Sequence, residues 1–158
     1  MSKLAALIDD YLKGPTQLRQ AVAGMSREQL LARPIAGKWS TLEVICHLAD
    51  FDPILAERMK RTIALDNPTF LGADENRFAA ELAYHDRDLE EELTIIERTR
   101  QQMARILRKL PDAALARVGT HNERGPKTLE QLLTTATGHI PHHVKFIADK
   151  RRALGLAS

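Results

Sequence analysis

The sequence predicts an all-α four-helix bundle with a long connection between its second and third helices. Three observations carry this. Apolar residues recur every three or four positions through four long segments, Ser40 and Thr128 stand where helices should start, and no stretch alternates convincingly as a strand would.

In the first segment Leu4, Leu7, Ile8, Tyr11, Leu12, Leu18 and Val22 keep one helical phase across Gly14-Pro15, which predicts a single helix kinked at that dipeptide. The run GMSREQLLARPIAGKW reads as a loop. Ser40, with Glu43 three residues on as its capping-box partner, then opens a second helix that reaches about Leu65. Asp66-Asn67-Pro68 begins a polar connection with one short helical turn near Asn76 to Leu82. Periodicity resumes near Asp88, where Leu89, Leu93, Ile96, Met103, Leu107 and Leu110 define a third helix closed by Pro111. Arg100 lies on the same stripe, either as a snorkelling side chain with a buried stem or as a group that meets an anionic substrate. The segment PDAALARVGTHNERGPK reads as loop or short hairpin, and Thr128 caps a fourth helix ending near Gly155.

At 158 residues the chain fits one domain over 1–158, large enough to bury roughly 70% of the surface its unfolded form exposes. Its 23 basic and 21 acidic residues are interspersed, so there is no concentrated positive field of the kind nucleic-acid binding uses. The lone Cys46 excludes an internal disulfide and fits an apolar-core role in a reducing compartment. Asp9 and Asp10 stand where a signal peptide would need an apolar run, and no segment approaches a membrane span, so a cytoplasmic protein without membrane partners is expected.

Chemistry concentrates on three histidines. His139 and His143 are four apart on the fourth helix, one above the other, and both fall within about 20° of the inward residue Leu132. His47 shares an inward stripe of the second helix with Val44, Phe51 and Ile54 and can face the pair across the core. Lone inward histidines are often ordinary core residues, and an HxxxH pair alone is a weak motif. Three of them without a common partner, however, would each carry a penalty of about 1–3 kcal/mol that one ion removes. Three neutral imidazoles with an open fourth position are what a Lewis-acidic metal needs. His142 and Cys46 point about 100° away from their ligand neighbours and should not share the ion.

Asp50, three residues beyond His47, either orients a ligand imidazole or is a solvated carboxylate. Pro53 and Pro141 lie close to the ligands, either opening space beside the ion or only curving the bundle. The Asp66 to Asp86 connection is either a lid over the ion or an ordinary surface crossing. No residue is placed by spacing as a general base, and His85 and His121 receive no role.

The pieces GKWSTLEVICHLADFD, RDLEEEL, ILRKLP, RVGTHNERGPKTLEQLL and GHIPHHVKFI, in that order, resemble the DinB/YfiT-like superfamily over nearly the whole chain. The resemblance implies a four-helix bundle, usually a homodimer. Its metal-binding histidines, one on the second helix and an HxxxH pair on the last, fall on His47, His139 and His143. Three imidazoles suit one divalent ion, zinc or nickel first, with iron, copper or manganese also open. Metal-dependent hydrolysis or transfer to a low-molecular-weight thiol such as bacillithiol, mycothiol or glutathione is the implied activity. The alternatives are a non-catalytic metal-binding dimer related to stress response and a metal-free helical interaction module.

Overall fold

A computed structural model of the chain describes residues 1–157. In chain order the elements are α1 (Lys3–Val22), α2 (Arg27–Leu31), α3 (Thr41–Ala64), β1 (Thr69–Phe70), α4 (Glu75–Glu81), α5 (Leu89–Leu107), β2 (Val118–His121), β3 (Gly125–Thr128) and α6 (Leu129–Ala153). The four long helices α1, α3, α5 and α6 make the bundle: α1 packs on α5 and α6, and α3 packs on the same two. None of the described helices is long and apolar enough to cross a membrane.

The helix starts follow the predicted chemistry. Ser40 Oγ accepts from the Glu43 amide at 3.1 Å while the Glu43 carboxylate accepts from the Ser40 amide at 2.7 Å, which satisfies two of the donors a helix start leaves open. Thr128 and Gln131 repeat the arrangement at α6. That helix stops where Gly155 takes a φ of +72°, a left-handed conformation that glycine adopts without steric cost. Pro15, Pro53 and Pro141 all lie inside continuous helices.

Two short elements differ from expectation. The run read as a loop contains α2, started by a capping box between Ser26 and Gln29. The chain also forms a small sheet in the order β1-β2-β3, with β1 parallel to β2 and β2 antiparallel to β3. The β2–β3 hairpin was one of the two readings of its segment; β1 was not foreseen. Phe70 pairs with His121 in the sheet, which ties the 66–88 connection to the hairpin before α6.

The interior divides into two apolar clusters, one around Leu4, Ile8, Met59, Met103 and Leu133, the other around Leu18, Leu42, Ile45, Ile96 and Ile147. Between them in sequence on three of the four long helices lies a residue that is not apolar or carries no side chain: Gly14 on α1, Asp52 on α3, Arg100 on α5. Arg100 is 0% exposed, which corrects the snorkelling and substrate readings alike. Its Nε donates to both Asp52 oxygens at 3.1 Å, and its Nη2 donates to Asp52 Oδ1 at 2.7 Å and to the Ala136 carbonyl at 2.8 Å. Nη1 donates to the Tyr11 carbonyl at 2.8 Å.

The Tyr11 bond explains Gly14-Pro15. Inside a helix Tyr11 O would accept from the amide of residue 15, and proline has none, so Pro15 frees the carbonyl that Arg100 takes. Gly14 makes the room: a Cβ there would stand 2.5 Å from Arg100 Nη1.

Candidate metal centre

The capping box at Ser40 sets the register of α3 so that His47 falls inside the bundle, 1% exposed, with its ring centroid 5.2 Å from Trp39 and 4.6 Å from Phe51. Phe51 leans in turn on Phe78 of α4, centroid to centroid 5.4 Å. From α6, His139 and His143 project one turn apart, their rings 4.9 Å from one another. His47 Nε2 lies 3.0 Å from His139 Nε2, and one nitrogen from each of the three rings falls within 4.8 Å of the others. The three histidines singled out from spacing are therefore brought together. Cys46 is not: its thiol donates to the Tyr84 carbonyl at 3.4 Å, and burial pushes its pKa up to about 12.

Electrostatics make these rings ready donors. Burial pulls the pKa of His47 down to about 4, with His143 as the next cause. His139 falls to about 4 and His143 to about 3, again by burial first and by neighbouring histidines after it. All three are neutral near pH 7, the form that coordinates a metal. The Nδ1 atoms of His47 and His139 are buried without a hydrogen-bond partner among the described residues. The facing Nε2 atoms of His47 and His139 hydrogen-bond only to each other among the described residues, so a group bound between the rings would displace no other protein partner.

Asp50 does not orient a ligand imidazole. Its carboxylate accepts from Arg87 at 2.8 and 3.2 Å and from the Tyr84 hydroxyl at 3.0 Å. Residues three apart on a helix differ by about 60°, enough to aim Asp50 at the segment before α5 rather than at the His47 ring. Its pull on His47 is that of a nearby charge. The His47 ring is fixed by packing on Trp39 and Phe51 instead.

A cavity of about 370 Å³ reaches His47 and His139, floored by Phe51, Leu55 and Thr135. Residues 72–75 of the connection form one of its walls, so the stretch read as either lid or surface crossing borders the site. It also delivers a group that spacing did not reveal: Glu75, at the start of α4, places Oε2 3.8 Å from His47 Nε2 with its side chain half exposed. His121 and Arg58 border the cavity as well. A larger hollow of about 650 Å³ opens beside Trp39 and holds Arg33, Glu43 and His85, which bond to one another rather than facing an open space.

With this geometry in place, the chain can be compared with known proteins. The sequence profile of the DinB superfamily matches residues 11–147. A protein of Oceanobacillus iheyensis named "Putative metal-dependent hydrolase OB0782" is 29% identical over 135 residues, covering 85% of this chain and 78% of its own. "Putative metal-dependent hydrolase YfiT" of Bacillus subtilis is 27% identical over 142 residues, 89% of this chain and 80% of its own. The solved structure of YfiT from Bacillus subtilis, described as a probable metal-dependent hydrolase with an unusual four-helix bundle topology, superimposes with a TM-score of 0.91 at 26% identity, covering 99% of this chain and 91% of that one.

Proposed function

Since the chain belongs to the DinB superfamily, we propose that it is a metal-dependent enzyme whose His47, His139 and His143 hold one divalent ion and leave a coordination position open toward the cavity. One observation carries this reading: three neutral imidazoles converge, two of them lining an accessible cavity, and among the described residues the facing nitrogens of His47 and His139 bond to no protein group but each other. When bound, the ion supplies Lewis acidity that lowers the pKa of a coordinated nucleophile. Water as nucleophile gives hydrolysis, the activity after which the relatives are named. A low-molecular-weight thiol at the same position gives S-transfer, and the apolar floor of Phe51 and Leu55 suits its carbon chain.

The protein's own groups divide the remaining work. Trp39 and Phe51 hold the His47 ring and exclude water from its buried side. Glu75 Oε2, on the open side, accepts the proton that the nucleophile gives up.

Elemental analysis of protein purified without a His-tag is the first test, beside the variant with His47, His139 and His143 all changed to Ala. About one equivalent of zinc or nickel is expected, lost in the triple variant. A panel of small esters, amides and thiol acceptors then separates the two reactions. His139→Ala should abolish turnover, while Glu75→Gln should lower kcat with the metal retained. No metal in the wild type even after reconstitution would leave the histidines a structural role only.

A further inference from the structure

The cavity that ends at His47 and His139 is cationic along the side formed by Arg58, His121 and Arg124. Arg58, on α3, is half-buried and donates Nη2 to the Leu71 carbonyl at 2.8 Å. Arg124, in the β2–β3 turn, is exposed and makes no side-chain hydrogen bond among the described residues. Among those residues neither arginine has a carboxylate within 4.0 Å, although other arginines of the chain, including Arg19, Arg33, Arg87 and Arg100, are paired.

His121 completes the set. Its Nδ1 accepts from the backbone amides of Glu123 and Arg124 at 3.1 and 3.2 Å, so Nδ1 carries no proton and the neutral ring has its one N–H at Nε2. That N–H has no protein acceptor among the described residues, although the ring is buried. None of the acids of the same cavity makes an ion pair with either arginine, although the charge of Glu123 reaches His121. Asp74 is spent on the amides of Asn76 and Arg77 at the start of α4, Glu75 lies by His47, and Glu123 lies over Gly72. Burial and the like charge of Arg124 lower the pKa of Arg58 by more than the charge of Glu57 raises it, as expected where two guanidinium groups share a space.

We infer that Arg58, Arg124 and the His121 Nε2–H form a subsite for a compact oxyanion, a carboxylate or phosphate carried by the small molecule whose reactive atom reaches the metal position. Guanidinium groups match either oxyanion with paired N–H donors, and the histidine adds a neutral one. The inference rests on the proposed metal-dependent function for placing this anion on a substrate, but the subsite itself needs no metal.

The test is an NMR titration of the full chain with inorganic phosphate and, separately, with succinate, following the His121 ring resonances. It is run on zinc-loaded protein and again after chelation. Saturable shifts with at least one of the two anions are expected in both states, and the better binder identifies the group. Arg124→Gln, at an exposed site with no partners to lose, should weaken binding about tenfold, and Arg58→Gln with it should weaken binding further, as loss of charge-assisted bonds implies. Arg58→Lys should restore part of the affinity. Two results overturn the subsite: no saturable His121 shift with either anion, or shifts seen only with zinc and indifferent to both arginines. Failure of zinc to bind at all would sink the metal reading instead, leaving the chelated titration to judge the subsite alone.

Discussion

Two polar clusters sit inside this bundle less than two helical turns apart on α3, and they are built on opposite terms. At Asp52 and Arg100 both side chains are essentially unexposed, and the guanidinium is bonded through all three nitrogens to a carboxylate and two backbone carbonyls. At His47, His139 and His143 the interior is also polar, yet two Nδ1 atoms have no partner and the ring nitrogens face one another. Buried polar groups are ordinarily satisfied, so a complete network reads as architecture and an incomplete one as a site awaiting a ligand. The first cluster should therefore fail when cut, and the second should tolerate cutting but gain from being filled.

The largest effect is expected from breaking the complete cluster. Arg100→Ala leaves a buried carboxylate without its cation and should cost about 3–5 kcal/mol. Asp52→Leu together with Arg100→Met should recover much of that loss, because no charge is then left inside. Urea unfolding of the two variants beside the wild type decides it. A single variant as stable as the wild type would mean that water reaches Asp52 and that the two clusters do not differ as described.

Acid should next expose the histidines. Their folded pKa values, about 4, 4 and 3, lie below the ordinary value of 6.5. In metal-free protein the unfolded chain therefore binds protons that the folded chain refuses between roughly pH 6.5 and 4. Stability is greatest above pH 6.5 and falls as pH drops through that window and on toward pH 3, by on the order of 3 kcal/mol for the buried His47 alone and by more as the partly exposed His139 and His143 add a reduced share. Urea midpoints measured against pH should show this slope, and the His139→Leu and His143→Leu double variant should reduce it to the part that His47 carries. An unchanged slope in that variant would assign the titration elsewhere.

Filling the site should stabilise it by a similar amount. At a hundredfold excess of zinc over its Kd, binding to the folded state alone contributes about 2.7 kcal/mol and raises Tm by several degrees. The triple His→Ala variant should show no such rise. In the absence of metal, His139→Leu should cost far less than Arg100→Ala, because it strands a neutral imidazole nitrogen of His47 rather than a buried charge.

How much of this was legible in the sequence follows from the range of the interactions. The long helices and the three ligands depend on a 3.6-residue period and on caps three residues apart, both local. Helix α2 was missed because five residues carry too little periodicity, although Ser26 and Gln29 spell its capping box. Strand β1 has two residues, and its partner strand begins nearly fifty residues further on, so nothing local announces it. Arg100 was visible on its stripe, but its partner was not. Residues 41–49 of α3 are buried on every side, so no single inward stripe marks out Asp52. Glu75 and Arg124 reach the cavity only through the paths of a connection and a hairpin, which spacing along a helix cannot report.

The smallest and most pointed test lies at Gly14. In an exposed helix interior, Gly→Ala should stabilise by about 1 kcal/mol through propensity. Here the new Cβ would stand 2.5 Å from Arg100 Nη1 and 2.9 Å from Ile140 Cδ1. The guanidinium is held by Asp52, Tyr11 and Ala136 and has nowhere to go, so Gly14→Ala should instead destabilise by about 1–3 kcal/mol. Adding Arg100→Met replaces the fixed group with a flexible chain, and in that background Gly14→Ala should move back toward neutral. The double-mutant cycle then measures how strongly glycine and arginine depend on each other. A coupling near zero would mean that the helices shift apart to admit the methyl group, and that the complete cluster is as adaptable as the three-histidine one.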